Sequence, residues 1–325
     1  MRNFAFTCGD VNGIGPEIVI KTLNKLPSKK HSKIIFICPQ NVFYETLKFV
    51  PTKFEFIVSK NILDFENTKK ILIYDLGNVK FNFGKPTISS GKISYNSIIT
   101  ACKFASQNKI NVIITAPISK YAFHKAKINF PGHTELLADY FNIKKFAMMF
   151  LSNKMKAGLA TIHIPIRNIS KELTRLKLQD TVSVIINSLH NDFKLKNPKI
   201  AMLGLNPHAG ENGEIGSEEI NLIDPFIKSK NNLFGPFVPD AFFGNHLYKN
   251  YDLTIGLYHD QILIPFKLMN FNKGVNFTAG LPIVRTSPDH GTAFDIAGKG
   301  IASTDSMIEA FKFAEQILKN RNSNI

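Results

Sequence analysis

Short runs of β-branched and aromatic residues alternate with stretches of helical periodicity along all 325 residues, and this alternation constrains the fold more than any other feature. Strands separated by helices pair in parallel, because a parallel neighbour is reached only by a crossover of a dozen or more residues. Strands are expected at 4–8, 33–38, 71–74, 112–115, 146–151, 158–163, 200–205, 253–258 and 275–278. Helices are expected at 16–26, 95–107, 134–141, 178–189, 217–227 and 306–318. In the last, Met307, Ala310, Phe311, Ala314 and Ile317 recur at helical spacing and form a core stripe. The segments 146–151 and 155–161, joined by Ser152-Asn153-Lys154, also fit an antiparallel hairpin, which would make that sheet mixed. At roughly 150 residues per domain the length gives two domains. The expected fold is therefore α/β: two α/β/α domains with largely parallel or mixed sheets and an interdomain cleft. No polar linker separates the halves, so the chain is expected to pass out and back, with 1–120 and 273–325 in one domain and 121–272 in the other.

Composition narrows the class. An apolar content of 44% is enough to build cores, and 20% charged residues is ordinary, which argues against disorder. No apolar run approaches the roughly 20 residues of a membrane span, and the first fifteen residues lack a signal-peptide pattern, so a cytoplasmic protein without a membrane partner is expected. Three cysteines, Cys8, Cys38 and Cys102, contain no CxxC pair and read as reduced thiols. The net charge of +15 would suit a nucleic-acid ligand, but the lysines are spread out, the densest pieces being Lys29-Lys30, Lys69-Lys70 and Lys144-Lys145. No nucleic-acid partner is expected; attraction for small anions is.

Three histidines share a setting. His163, His208 and His259 each follow an expected strand at its carboxyl end, the edge where open α/β sheets bind ligands. A lone histidine is more often structural, and gaps of 45 and 51 residues match no local motif. Together, three neutral imidazoles at one edge suit Zn²⁺ or a similar divalent ion and leave coordination positions open. His133-Thr134-Glu135 opens a helix after Pro131-Gly132; an anion could rest on its free N–H groups, or Thr134 could simply cap it with Glu135 in the first turn. Lys267, Asn276 and Arg285 stand at intervals of nine, with solvated surface cations as the plain alternative for the two bases. The first loop, Gly9 to Glu17, is neither GxGxxG nor a P-loop, and Glu17 would repel phosphate, so it reads as a structural turn with Pro16 near N1.

Six spaced motifs carry a family resemblance: Gly9-Asp10 with Gly13-Ile14-Gly15-Pro16-Glu17, TAPISK from Thr115, PGHTE from Pro131, LNPHAG from Leu205, YHDQ from Tyr258 and RTSPDHGTAFDIAG from Arg285. In this order the chain resembles the 4-hydroxythreonine-4-phosphate dehydrogenase family of vitamin B6 synthesis. The segment 290–300 is similar to the cofactor loop of the broader isocitrate and isopropylmalate dehydrogenase group, which binds NAD without a Rossmann glycine fingerprint. The resemblance implies oxidation of 4-phosphooxy-L-threonine at C3 by NAD, with NADP as an alternative, followed by decarboxylation to 3-amino-2-oxopropyl phosphate. It implies one divalent ion per site, zinc first and magnesium or cobalt as alternatives, on His163, His208 and His259, with ligands from both subunits of a homodimer whose interface lies in the second domain. Substrate contacts would be His133, Thr134, Lys267, Asn276 and Arg285, and cofactor contacts His290, Gly291, Thr292 and Asp295, the last either at the ribose hydroxyls or merely capping its turn. Lys120, Asp240 and Asp260 are candidate proton acceptors. The chain departs from the family at Val11-Asn12, Ser119 and Pro288. A related oxidative decarboxylase of another phosphorylated hydroxy acid, a metal-dependent hydrolase using the same histidines, and a basic RNA-binding protein are the competing expectations.

Overall fold

The computed structural model describes residues 2–26 and 32–323; Lys29-Lys30 lies outside them. The strands in chain order are β1 Arg2–Thr7, β2 Ser32–Ile37, β3 Phe56–Ser59, β4 Ile71–Tyr74, β5 Val112–Thr115 and β6 Ala147–Leu151. They continue as β7 Lys156–Leu159, β8 Ile200–Leu203, β9 Leu233–Phe237, β10 Leu253–Gly256, β11 Val275–Ala279 and β12 Val284–Pro288. The chain divides into two compact units, Met1–Asn142 with Leu281–Leu318, and Ile143–Gly280 with Lys319–Ile325. The short helices Lys120–Lys125 and His133–Tyr140 thus belong to the first unit, beyond the crossing expected at residue 120.

In the first unit the strand order is β3-β4-β2-β1-β5-β12, and every pair is parallel. Its inner strands are nearly continuous apolar runs, as strands covered on both faces require: Phe4, Ala5 and Phe6 of β1 and Val112, Ile113 and Ile114 of β5 are fully buried. The helix Asp305–Asn322 buries the stripe read from its periodicity, Met307, Ala310, Phe311, Ala314 and Ile317. Phe311 packs on Phe4 and Phe6, with ring centroids 4.9 and 6.2 Å away.

The second unit has the order β11-β6-β7-β10-β8-β9. The hairpin alternative is the one found: β6 runs antiparallel to both β7 and β11, whereas β7, β10, β8 and β9 are mutually parallel, so this sheet is mixed. Its core gathers Phe150, Ala157, Leu203, Phe242, Ile262 and Phe266. Three strands escape the sequence pattern. β3 is four half-buried residues at a sheet edge, β9 carries Gly235-Pro236 inside it, and β12 is fully buried although its sequence, VRTSP, is mostly polar.

The helix Ile88–Ser106 starts seven residues before the expected 95, because Ser and Gly lower its apparent propensity. Context reverses this. Thr87 and Ser90 form a capping box, and Gly91 sits where a Cβ would fall 2.4 Å from the Ala122 carbonyl oxygen. The buried Ser90, Ser94 and Ser97 then occupy one helical face and serve the carboxyl ends of β1 and β2. Ser94 Oγ donates to the Gly9 carbonyl at 2.7 Å, Ser97 Oγ donates to that of Ile37 at 2.8 Å, and Ser97 Oγ accepts from Cys8 N–H at 3.1 Å. Ser90 Oγ donates to Asp10 at 3.0 Å. Cys8, Cys38 and Cys102 are buried, free thiols.

Asp10 is fully buried, and desolvation raises its pKa from 3.8 to about 6 against the opposing hydrogen bonds from Asn12 and Ser90. The folded chain therefore holds this proton more tightly than the unfolded chain, so stability falls as pH rises from about 4 to 6 and is level above that. Asp10→Asn keeps the acceptor for Asn12 N–H and mimics the protonated acid. It should flatten that slope and raise stability above pH 6 by up to roughly 3 kcal/mol, read from urea midpoints on both sides of the window; parallel pH profiles for the two proteins would refute this.

Candidate functional site

In the first unit, polar groups collect at the carboxyl ends of β5 and β12 and at the start of the helix His133–Tyr140. Arg285 is not the solvated surface cation of the plain alternative: it is 1% exposed. Its Nη2 donates to Thr115 Oγ1 at 2.7 Å and Ser287 Oγ at 3.0 Å. Burial lowers its pKa to about 9 while the Glu135 carboxylate opposes the shift, so the guanidinium stays charged at neutral pH. His133 bonds the Ala116 backbone, and its Nε2 is shielded from solvent without a hydrogen-bond partner. Burial first, and the Arg285 charge second, push the imidazole well below the usual 6.5. The site thus offers a buried cation, a neutral imidazole and a helix N-terminus, a combination suited to an oxyanion. Thr134 is not the cap: the helix begins one residue earlier, with Gly132 at the N-cap and no side-chain bond, and Thr134 is buried in the first turn.

The segment expected to meet a cofactor also lies in this unit. Ile14 N–H donates to the Thr292 carbonyl at 3.0 Å, which ties this segment to the first loop. Glu17, which sequence reasoning gave only a repulsive role, fixes the following stretch. Its buried Oε1 accepts from Lys21 Nζ and from Ala302 N–H, both at 2.8 Å, and Lys21 Nζ also donates to the carbonyls of Gly300 and Ala302. Pro16 stands at the helix start as expected. Asp295 is exposed in the single turn Phe294–Ile296, whose N-cap is Ala293, so a capping role does not hold it there. His290 Nδ1 lies 3.1 Å from the Gly291 carbonyl. Two departures from the family pattern have local roles. Asn12 ties the segment 82–87 to the first loop through Asn82 N–H, the Lys85 carbonyl and Thr87 Oγ1, and Ser119 caps the helix Lys120–Lys125. Lys120 itself is exposed.

The second unit carries the histidines. β7, β10 and β8 are adjacent and parallel, so His163, His259 and His208, which follow them by a few residues each, leave the sheet at the same edge. The strands end earlier than expected, at Leu159, Leu203 and Gly256, which places the imidazoles on the loops. The rings of His163 and His259 have centroids 5.9 Å apart, within about an ångström of the separation of two imidazoles on one tetrahedral ion. His259 Nδ1 meets Asp260 Oδ1 at 2.6 Å, a pairing that orients metal-binding imidazoles. Among the described residues, no group of three or more His, Cys, Asp or Glu side chains is gathered closely enough to hold a metal ion, so His208 does not complete the set within one chain.

His208 belongs to a run of left-handed backbone, with φ of 51° at His208, 52° at Ala209, 82° at Gly210, 41° at Glu211 and 53° at Asn212. Each non-glycine residue there costs roughly 1–2 kcal/mol. The helix expected at 217–227 is a π-helical turn, Glu219–Ile223, followed by Asp224–Lys228. Glu219, which sequence reasoning missed, is buried against this loop. Lys267 is exposed on the helix His259–Asn270, Asn276 is half-buried in β11, and Asp240 is exposed in the first turn of Pro239–Gly244. Among the described residues no helix is long and apolar enough to cross a membrane.

These features describe an α/β protein whose ionisable groups gather at the carboxyl ends of parallel strands. The profile of the pyridoxal phosphate biosynthetic protein PdxA family matches residues 30–314. A 4-hydroxythreonine-4-phosphate dehydrogenase of Sulfurihydrogenibium sp. is 39% identical, covering 97% of this chain and 98% of its own length, and that of Aquifex aeolicus is 38% identical over 98% of each. The crystal structure of the Klebsiella pneumoniae 4-hydroxythreonine-4-phosphate dehydrogenase superposes with a TM-score of 0.83 at 33% identity, over 98% of both chains. The chain belongs to the PdxA family and is an oxidoreductase.

Because the unfolded chain takes up a proton at His133 more readily than the fold does, this residue's contribution to stability declines as pH drops below about 6.5. Imidazole ¹⁵N spectra should show His133 still neutral at pH 6.5, where an ordinary histidine is half protonated, and as the pH is lowered further. A His133 resonance titrating near 6.5 would mean that the ring is not held away from water beside the Arg285 charge in solution.

Proposed function

We propose that the chain oxidises the C3 hydroxyl of 4-phosphooxy-L-threonine with NAD, in a reaction dependent on a divalent ion, and that the resulting 3-oxo acid loses CO₂ to give 3-amino-2-oxopropyl phosphate for pyridoxal 5′-phosphate synthesis. The observation that carries this is the buried Arg285 cation beside the neutral His133 at a helix N-terminus, a setting suited to phosphate, in a chain whose relatives are named for a phosphorylated hydroxy amino acid.

Arg285 neutralises the phosphate, and His133 and Thr134 add neutral hydrogen-bonding groups that orient it. Lys267 and Asn276 are proposed for the substrate's remaining polar groups. His163, His208 and His259 have the donor chemistry of a zinc site, with magnesium and cobalt as alternatives, and the facing pair His163 and His259 supports it. A divalent ion bound there would lower the pKa of the hydroxyl and stabilise the charge left by decarboxylation. His290, Gly291, Thr292 and Asp295 fit a ribose-bearing cofactor in that an exposed carboxylate stands on backbone pinned at Thr292 and at Gly300 and Ala302. NAD, or NADP, would accept the hydride from C3. Asp260 is engaged with His259 and is assigned to orient that ring, which leaves Lys120 and Asp240 as proton acceptors.

NADH formation should depend on 4-phosphooxy-L-threonine, vanish with a chelator and return with zinc or cobalt, and His259→Ala should lower kcat/KM by roughly a hundredfold or more. Turnover unaffected by chelator or by this substitution would reject the metal role, and turnover only with a different phosphorylated hydroxy acid would reassign the substrate.

We further propose a homodimer. The helix His259–Asn270 and its cap leave Ile264, Leu268 and Phe271 60%, 83% and 79% exposed at helical spacing, within about 18 Å of His259 along the helix. A second copy covering this stripe would stand next to the metal-binding end of the sheet. Leu268→Glu combined with Phe271→Glu should sediment as a monomer; an unchanged dimer would remove this face from the interface.

A further inference from the structure

We propose that Glu219 is the positioning residue for His208, holding the left-handed loop that presents this imidazole to a divalent ion; the proposal rests on the metal reading of the three histidines.

Glu219 is 3% exposed, and its carboxylate faces amides rather than a cation. Oε1 accepts from the backbone N–H of Leu205 at 2.7 Å and of Asn206 at 2.8 Å, and Oε2 accepts from Asn206 Nδ2 at 2.8 Å. The carboxylate is wedged between the two ends of the turn. A Cβ on Gly204 would lie 3.3 Å from Oε1, and one on Gly210 would lie 2.8 Å from Oε2. Asn206 Nδ2 is shared with Glu218 Oε2 at 2.8 Å, and Glu218 Oε1 in turn accepts from Ser170 Oγ at 2.6 Å.

The loop needs such an anchor. Four of the five consecutive residues from His208 to Asn212 are non-glycines in a region that L residues avoid, and runs of this kind persist only where their surroundings over-determine them. The bonds from Glu219 fall on Leu205 and Asn206, directly before that run, so they set the direction in which it leaves β8. The π-helical turn that begins at Glu219 is itself a local irregularity of the kind found beside functional groups. The hydrogen bonds that Glu219 accepts come from Leu205 and Asn206, the residues that lead into His208, so its effect on metal is carried through His208.

The test uses the full chain and zinc alone, with affinity read by competition against a chromophoric chelator, and cobalt absorption as a second readout. His208→Ala should weaken zinc binding, and Glu219→Ala should weaken it by about 10- to 100-fold. Glu219→Gln, which keeps an oxygen for the two backbone N–H groups, should stay within a few-fold of the parent. The double variant Glu219→Ala/His208→Ala should bind zinc no more weakly than His208→Ala alone, because the two substitutions remove one ligand. Unchanged affinity in Glu219→Ala alongside loss in His208→Ala, or losses that multiply in the double variant, would overturn the proposal. Parent-like affinity in His208→Ala would overturn the metal reading itself, and the proposal with it. Should Glu219→Ala not fold, Asn206→Ala replaces it: a several-fold loss that disappears in the His208→Ala background supports the assignment, and no loss refutes it.

Discussion

Parallel pairing is the constraint on which the rest depends. Strands that run the same way end at the same edge, and every return to the sheet requires a crossover, so the residues following each strand are delivered to one side whatever their distance in sequence. In the second unit this delivers the loops carrying His163, His208 and His259 to one sheet edge, separated by 45 and 51 residues but following the neighbours β7, β8 and β10. In the first unit the same rule brings Thr115, from the end of β5, to Arg285 and Ser287 of β12. The serine face of the helix Ile88–Ser106 is the counterpart of this geometry: it satisfies backbone groups at the ends of β1 and β2, where the ladder runs out.

Buried charge is handled differently in the two units. Arg285 has hydroxyl acceptors and the nearby Glu135 carboxylate, so its cation survives desolvation, and the imidazole beside it is kept neutral by burial first and by the Arg285 charge second. Glu219 has amides only, three of them donated by two consecutive residues, and its burial is expressed as loop geometry instead of an ion pair. Glu17 lies between these cases, with one lysine and one backbone amide, and it secures the 300–302 stretch.

Much of this was legible in the sequence, and for physical reasons. Apolar runs such as Val112–Thr115 and the 3.6-residue stripe of the last helix report burial directly. The histidines stood out because each followed such a run. Elements whose stability comes from tertiary context were hidden. β12 is a buried strand with a polar sequence because Arg285, Thr286 and Ser287 each find partners, and the helix Ile88–Ser106 begins early because its serines are bonded by the strands beneath. Glu17 read only as a repulsive group in a turn, Glu135 only as a first-turn acid, and Glu219 drew no reading, since nothing local signals that a carboxylate will be engaged by residues far away. The short motifs containing Glu17 and Glu135 were visible, and the partners that give the three acids their roles were not. The Gly132 cap illustrates the usual error in helix ends, a shift of two residues from the more obvious Thr134.

The claim that His163, His208 and His259 serve one divalent ion is tested most directly by crystals of the full chain grown with zinc and measured on both sides of the zinc absorption edge. A single strong anomalous peak in contact with the rings of His163 and His259, with a His208 ring from the same chain or its partner completing the ligand set, is the predicted result. An anomalous peak bound elsewhere with these three rings unligated, or zinc held by His163 and His259 while His208 stands apart in every copy, would contradict it.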